Sequence, residues 1–278
     1  MQPTRGTPWE RGQMVNTRTV VFDLDGTIYQ DTAFYHDYIS YLVEGTAYQA
    51  WGPRLDAFAA GVFAGQGLVM NSFYRSQRVA AQDPDEYFAA LTAQRCTPRT
   101  YEDALVQEGI VYLGDAWAVV TYLGTTLGLM DDGRGDALYR RMRCKMEQDG
   151  MTGSPRLKQA ISRLAGRCDV IMMSNSYEAT VLEFLRQLGF EGLFPCICAS
   201  ANKPHGMIGA LVARRPDVFA RAETVVSIGD HAFNDLMPVA RMGGRTVWIN
   251  PYPQVAKAAC DVELASLDEL ADYLDGLS

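Results

Sequence analysis

Asp23 and Asp25 stand one residue apart at the end of the apolar run Val20-Val21-Phe22, and Gly26 follows them directly. In an extended chain two residues of like parity point to the same side, and a glycine lets the backbone turn sharply beneath them. The stretch can therefore offer two carboxylates to one ligand, although taken alone it reads equally well as ordinary turn chemistry after a strand. Other polar residues also close apolar runs: Ser174 and Asn175 after Val170–Met173, Lys203 shortly past Phe194–Ala199, and Asp230 after Thr224–Gly229, with Asp235 just beyond. Carboxylates that bind a hard cation or attack an electrophile, a hydroxyl, and a lysine make a set suited to phosphoryl transfer. There a cation and N–H donors balance charge on the equatorial oxygens. The lysine is conspicuous because Lys145, Lys158, Lys203 and Lys257 are the only lysines in the chain.

These residues can cooperate only if the chain brings them to one place. From residue 154 onward strands and helices alternate with clear punctuation. Ser154-Pro155 predicts a helix start, Leu157, Ile161 and Leu164 its apolar stripe, and Gly166 its end. Strands are predicted over 170–173, 194–199, 224–228 and 246–249, and helices over 177–188, 207–214 and 234–242. A capping box at Ser266 and Glu269 opens the last helix. Apolar strands separated by helices predict a doubly wound α/β fold, a Rossmann-like parallel sheet covered on both faces. In such a sheet ligands bind beyond the carboxyl ends of the strands, where the polar groups above would converge. Considered singly, Ser174-Asn175 could equally cap the next helix, Lys203-Pro204 could be a solvated loop, and Asp230 and Asp235 could be acids placed at a helix N-terminus.

Between residues 31 and 152 helical stripes such as Phe34, Tyr38 and Leu42 recur without convincing strands. We therefore expect a helical insertion that interrupts the α/β unit after its first strand, with residues 18–30 and 153–278 forming the core. Residues 1–17, rich in Pro, Gly, Arg and Thr, are expected to be a disordered extension.

Composition narrows the partners. A chain of 278 residues that is 48% hydrophobic can bury a sizeable core without staples. Its net charge of −8, with no long charged block, argues against a nucleic-acid surface and for a small-molecule substrate. No run is long enough for a signal sequence or a membrane span, so a cytoplasmic protein without membrane contact is expected, its oligomeric state left open. The six cysteines form no C-x-x-C pair and read as buried thiols. Cys196 and Cys198 share a strand face but lack further ligands for zinc. Three scattered histidines and no Gly-x-Ser-x-Gly leave no case for a serine triad.

The order Asp23-x-Asp25-Gly-Thr, Ser174 at a strand end, Lys203-Pro204, and Gly229-Asp230 followed by Asp235 resembles the haloacid dehalogenase superfamily. The resemblance covers residues 18–30 and 154–278, and the insertion then resembles that superfamily's helical cap of the first type. It implies that Asp23 is the nucleophile that forms an aspartyl-phosphate and that Asp25 is the general acid and base. Magnesium (Mg2+) would be held by the Asp23 carboxylate, the Asp25 backbone carbonyl and Asp230, with Asp235 behind them. Ser174, Asn175 and Lys203 would hold the transferring phosphoryl group.

Two departures stand out. His231 follows Asp230 where the family often has Ser or Thr, and is expected at an exposed position, with contact to the metal's water shell as the alternative. His205-Gly206 follows Lys203-Pro204 where Asp-Pro is usual. His36 is expected on a cap helix.

Dehalogenases of the superfamily lack a carboxylate where Asp25 stands, and phosphonate hydrolysis of the family type needs a cap lysine, for which Lys145 is poorly placed. Hydrolysis of a small phosphorylated metabolite is the leading expectation. A phosphomutase is the nearest rival, and a catalytically weak binding or regulatory protein on the same fold is the alternative from another class. The cap is rich in aromatics, with Arg75 and Arg78 as possible anion contacts. An aromatic stripe at helical spacing is more often core than pocket, so no cap residue is placed in the site.

Overall fold

The computed structural model describes residues 18–30, 33–252 and 255–277. The expected extension over 1–17 lies outside the described residues. Strand β1 (Thr19–Phe22) comes first. The insertion follows with α1 (Phe34–Val43), α2 (Gly52–Phe63), β2 (Ser72–Arg75), α3 (Pro84–Ala93), β3 (Arg95–Cys96), α4 (Tyr101–Val106), β4 (Ile110–Leu113), α5 (Ala116–Thr126) and α6 (Arg134–Asp149). The chain then runs through α7 (Pro155–Ala165), β5 (Asp169–Met173), α8 (Glu178–Gln187), β6 (Cys196–Cys198) and α9 (Met207–Arg214). It closes with β7 (Val225–Gly229), α10 (Met237–Arg241), β8 (Arg245–Ile249), β9 (Val262–Leu264) and α11 (Leu267–Leu277).

The main sheet is six-stranded and parallel, in the order β6-β5-β1-β7-β8-β9. β1 lies between β5 and β7, with Val21 level with Ile171 on one side and Ser227 on the other. That register sets the residues just past the three strands side by side: Asp23, Ser174 and Asp230. Alternation along β1 serves both faces of the sheet. Val20 and Phe22 join Leu157, Ile161 and Leu274 in one core, while Val21 joins Ile171, Met173, Met207 and Leu211 in the other. Strands buried on both sides in this way read as continuous apolar runs, which is why most of them could be placed from sequence. β9, not expected from the sequence, is only three residues long and interrupted by Glu263.

Two helix starts use the chemistry expected of them. Ser154 Oγ accepts the Leu157 N–H at 3.2 Å. Ser266 Oγ accepts the Glu269 N–H at 3.2 Å, while Glu269 Oε2 accepts the Ala265 N–H at 2.7 Å. The capping box thus closes one residue further back than the usual reciprocal pattern.

The insertion is mostly helical, but it also holds a three-stranded antiparallel sheet, β3-β2-β4, that was not expected. Its strands are two to four residues long, shorter than the window over which alternation can be recognised. No strand of this sheet pairs with the six-stranded one. Among the described residues no helix is long and apolar enough to cross a membrane.

Candidate active site

The N–H of Asp23 still belongs to the sheet, donating to Ile228 O at 3.0 Å. Its carboxylate, one residue clear of β1, is buried. Lys203 Nζ donates to Asp23 Oδ1 and to Asp235 Oδ1, both at 2.6 Å, and so bridges two acids from two strand ends at once. The lysine is held there through its backbone. Asn175 Oδ1 accepts the Lys203 N–H at 2.6 Å, and Asn175 Nδ2 donates to Lys203 O at 3.1 Å. Ahead of it, Ser200 and Asn202 both adopt left-handed conformations, with φ of 48° and 51°. Such residues persist where neighbours over-determine the backbone. Here the Ser200 N–H donates to Ser176 O at 2.9 Å and the Ala201 N–H to Ser174 O at 3.0 Å. Ser174 itself is buried, its Oγ accepting the Ser176 N–H at 3.1 Å.

Asp230 and Asp235 come from the turn after β7. Asp235 sits in a π-helical turn, Ala232–Leu236, with its Oδ2 accepting the His231 N–H at 3.0 Å. The Asp230 carboxylate lies against Gly26, whose φ is 75° and where a Cβ would collide with it; only glycine lets the two loops close to this distance. Carboxylate oxygens of Asp23, Asp230 and Asp235 fall within 4.8 Å of one another. No hydrogen-bond donor among the described residues reaches the Asp230 carboxylate. Burial, then the neighbouring carboxylates of Asp115, Asp23 and Asp235, push its pKa well above the usual range. Burial pushes Asp23 up to about 8; Lys203 opposes this, while Asp235 and Asp25 add to it.

Asp25 meets the opposite environment. Arg143, from α6 of the insertion, reaches it with two parallel bonds, Nη1 to Oδ1 at 2.7 Å and Nη2 to Oδ2 at 2.8 Å. Ser176 Oγ donates to Asp25 Oδ2 at 3.1 Å, and the Tyr29 hydroxyl donates to Oδ1. Burial alone would raise the pKa of Asp25. The guanidinium outweighs it and, with the two hydroxyls, leaves that pKa below the usual carboxylate value. Arg143 is buried too, and its guanidinium lies 4.1 Å from the centre of the Trp117 ring.

All seven residues singled out from the sequence, Asp23, Asp25, Ser174, Asn175, Lys203, Asp230 and Asp235, line one cavity of about 190 Å3. No insertion residue could be placed in the site from the sequence; in the structure Tyr38, Asp115, Trp117, Thr121, Tyr139 and Arg143 line the same cavity. The aromatic stripes serve as core and as wall together: Trp117 stacks on Phe34 at 4.2 Å while bordering the cavity. Arg143 left a faint sequence signal, a cation among the apolar positions Leu138, Met142 and Met146 of one helix. Asp115 left none of its own, since it caps α5 by accepting the Ala118 N–H at 2.6 Å, and a cap already explains an Asp at that place.

The exposed position expected for His231 is overturned. Its ring is buried against Tyr112, with centroids 4.9 Å apart, and its Nδ1 accepts the Asn234 N–H at 3.2 Å. Gly114 of the insertion packs so close that a Cβ there would collide with the ring. His36 lies on α1, exposed, with Nδ1 2.6 Å from Asp56 Oδ1. Arg78 pairs with Asp131 at the surface, and neither it nor Arg75 lines the cavity.

A family model described as haloacid dehalogenase-like hydrolase matches residues 17–243. No curated protein sequence matches the chain. Among solved structures, the HAD-hydrolase YfnB from Bacillus subtilis, bound to magnesium, superposes with a TM-score of 0.50 at 19% identity, covering 94% of this chain and 99% of that one. The haloacid dehalogenase-like family protein SP0104 from Streptococcus pneumoniae gives a TM-score of 0.51 at 14% identity, covering 94% and 99%. The L-2-haloacid dehalogenase RSc1362 gives 0.50 at 16% identity, covering 94% and 100%. At these identities the likeness concerns the fold alone.

Proposed function

Because the chain belongs to the haloacid dehalogenase-like hydrolase family, we propose that it is a magnesium-dependent phosphatase acting on a small phosphomonoester through an aspartyl-phosphate at Asp23. The observation that carries this reading is the pairing of Asp23 with a second carboxylate, Asp25, in one buried cavity with Lys203, Ser174 and Asp230. A nucleophile alone serves several leaving groups. A neighbouring acid that returns as a base serves an alkoxide and then a water.

The donor set fits magnesium. Three carboxylates cluster within 4.8 Å, and buried Asp230 has no donor of its own among the described residues, so a hard divalent cation with oxygen preference answers the charge left after Lys203 is counted. The Asp23 and Asp230 carboxylates and the Asp25 backbone carbonyl would hold it, with Asp235 bracing the Lys203 side. When bound, it supplies Lewis-acid balance for the charge on the phosphoryl oxygens.

The remaining chemistry belongs to the chain's own groups. Asp23 attacks phosphorus as the bond to the alcohol oxygen breaks, and Asp25 donates its proton to that oxygen, which releases the alcohol. Water then attacks phosphorus, Asp25 takes the water's proton, and the bond to Asp23 Oδ breaks to release phosphate. Lys203 and Ser174 receive the phosphoryl oxygens beside Asp23. Arg143 keeps Asp25 ionised, the state needed in the second half; donation in the first half requires that Asp25 has taken up a proton with that pair parted.

A panel of phosphomonoesters assayed with magnesium and with EDTA, beside Asp23→Asn, tests the proposal. Metal-dependent phosphate release that is abolished in the variant is expected. No release from any ester, or full activity in the variant, would sink it; isomerised sugar phosphate with little free phosphate would point to a mutase.

A further inference from the structure

The insertion meets the core at a place that none of the sequence motifs marks. Its three-stranded sheet lies against the loop after β7, which carries both Asp230 and Asp235. Phe233 of that loop is buried among three rings of the insertion: Phe73 of β2 at 5.1 Å between centroids, Tyr101 of α4 at 5.4 Å, and Tyr112 of β4 at 5.5 Å. Phe73 meets it edge to face, an arrangement that the quadrupoles of two rings favour. Tyr112 also covers the His231 ring and packs on the cluster of Ala232, Leu236 and Trp248. Trp248 Nε1 in turn donates to Asp230 O at 2.8 Å. The residue after Asp230 and the second residue before Asp235 thus both rest on the insertion. The turn between them is π-helical, a rare form, so its shape is owed to what packs on it rather than to local preference.

A second tie lies at the start of the same sheet. Met70 pairs with Val255 in an isolated parallel bridge, and the Ala256 N–H donates to Met70 O at 3.1 Å. Asn71 Nδ2 donates to Ala256 O at 2.5 Å, while its own N–H donates to Leu113 O at 2.7 Å. One buried residue, held at φ of 59°, is therefore bonded at once to the insertion's sheet and to the core. Lifting the sheet off would hand these bonds to water and expose Phe233 together with the rings around it. The surface pair Arg241–Glu102 beside them adds little by itself.

We propose that this sheet is a fixed part of the carboxylate centre: it stays on the core without a bound ligand, and Phe233 and Tyr112 are positioning residues for the loop bearing Asp230 and Asp235. The inference rests on the magnesium reading only for what that loop binds. The Arg143–Asp25 pair must part for Asp25 to take up a proton, whereas the rings around Phe233 hold no group that the chemistry moves. The insertion is thus anchored on one side of the cavity and free to adjust on the other.

The test uses the full chain and compares Phe233→Ala with Phe58→Ala, which removes a ring stacked on Phe88 at 4.1 Å within the insertion and not among those around Phe233. In metal-free wild type, hydrogen exchange read by NMR should find the Ala256 amide at least about a hundredfold slower than an unbonded amide. Phe233→Ala should speed exchange of the Asp235 amide, bonded to His231 O at 2.9 Å, at least about tenfold. It should also weaken magnesium binding in calorimetry about ten- to hundredfold, the usual loss when a group that orients a metal ligand is removed. Phe58→Ala should change each quantity less than about threefold, because it lies outside the contact. If Phe233→Ala does not fold, Phe233→Leu takes its place, with an expected loss of about three- to tenfold in magnesium affinity. An Ala256 amide that exchanges as if unbonded, magnesium bound as tightly by the Phe233 variant as by wild type, or equal effects of the two substitutions would each overturn the inference. Wild type that binds no magnesium would sink the metal reading instead. Asp235 exchange then decides alone: faster in the Phe233 variant only, the inference stands; otherwise it falls.

Discussion

Acidity is a direct probe of the carboxylate cluster. Asp23 and Asp235 share the one ammonium of Lys203 while Asp230 stands beside them without it, and burial, with the Asp235 and Asp25 carboxylates, pushes Asp23 up to about 8 against the pull of Lys203. The folded value lies above the usual carboxylate value of about 4. This group's contribution to stability is therefore full below about pH 4 and is lost as pH rises toward 8 in the metal-free protein. A divalent cation at the cluster competes with that proton. If binding displaces one proton, its apparent Kd should weaken roughly ten- to hundredfold between pH 8 and pH 6. At a fixed, near-saturating magnesium concentration this removes about 1.4–2.7 kcal/mol of the metal's stabilisation, or on the order of 3–10 °C in the magnesium-induced rise of Tm for a chain of this size. Calorimetry in two buffers of different ionisation heat counts the released proton directly, and melting curves with and without magnesium at each pH give the stability difference. A Kd that changes less than threefold between pH 6 and pH 8 with no proton released would refute the reasoning. So would Asp230→Asn binding magnesium as tightly as wild type.

Two substitutions probe how the site is built. Arg143→Ala leaves the Asp25 carboxylate buried without its bidentate partner and should cost about 3–5 kcal/mol in urea unfolding, whereas Arg143→Lys should lose less because the charge remains. Gly26→Ala forces a side chain into a backbone with φ of 75° and against the Asp230 carboxylate. It should destabilise by about 1–2 kcal/mol or more from the backbone alone and weaken magnesium binding in calorimetry, where Gly45→Ala, at φ of 69° with open space around it, should show only the backbone cost.

The six-stranded sheet was legible wherever a strand is buried on both faces, because such a strand must be apolar throughout and must stop where polar work begins. β1, β5 and β7 stop at Asp23, Ser174 and Asp230 for that reason, and their adjacency follows from parallel pairing alone. The loop that carries Lys203 was not legible. Its course depends on Ser200 and Asn202 at positive φ, conformations that Ser does not advertise and that are held by bonds to the loop after β5. Asn175 shows the same limit. Its position at a strand end suggested a phosphate contact, while the structure uses both ends of its amide to fix the backbone of the lysine that does the pairing. The short strands of the insertion escaped because four residues hold too little alternation to be told from part of a helix.

The insertion's share of the site was hidden for a different reason. Asp25 and Arg143 lie 118 positions apart, and no local pattern links them. A lone aspartate at a strand end gives no hint of which cation will answer it. Yet once buried the pair is exacting, since two parallel bonds of 2.7 and 2.8 Å fix the guanidinium plane and thus the orientation of α6 against β1. Tyr139 lies one turn before Arg143 on the same helix and lines the same cavity, so the bond that answers the charge of Asp25 also sets where that wall stands. One helix of the insertion thus serves both a core carboxylate and the cavity wall, a link that motifs confined to the core strands do not show.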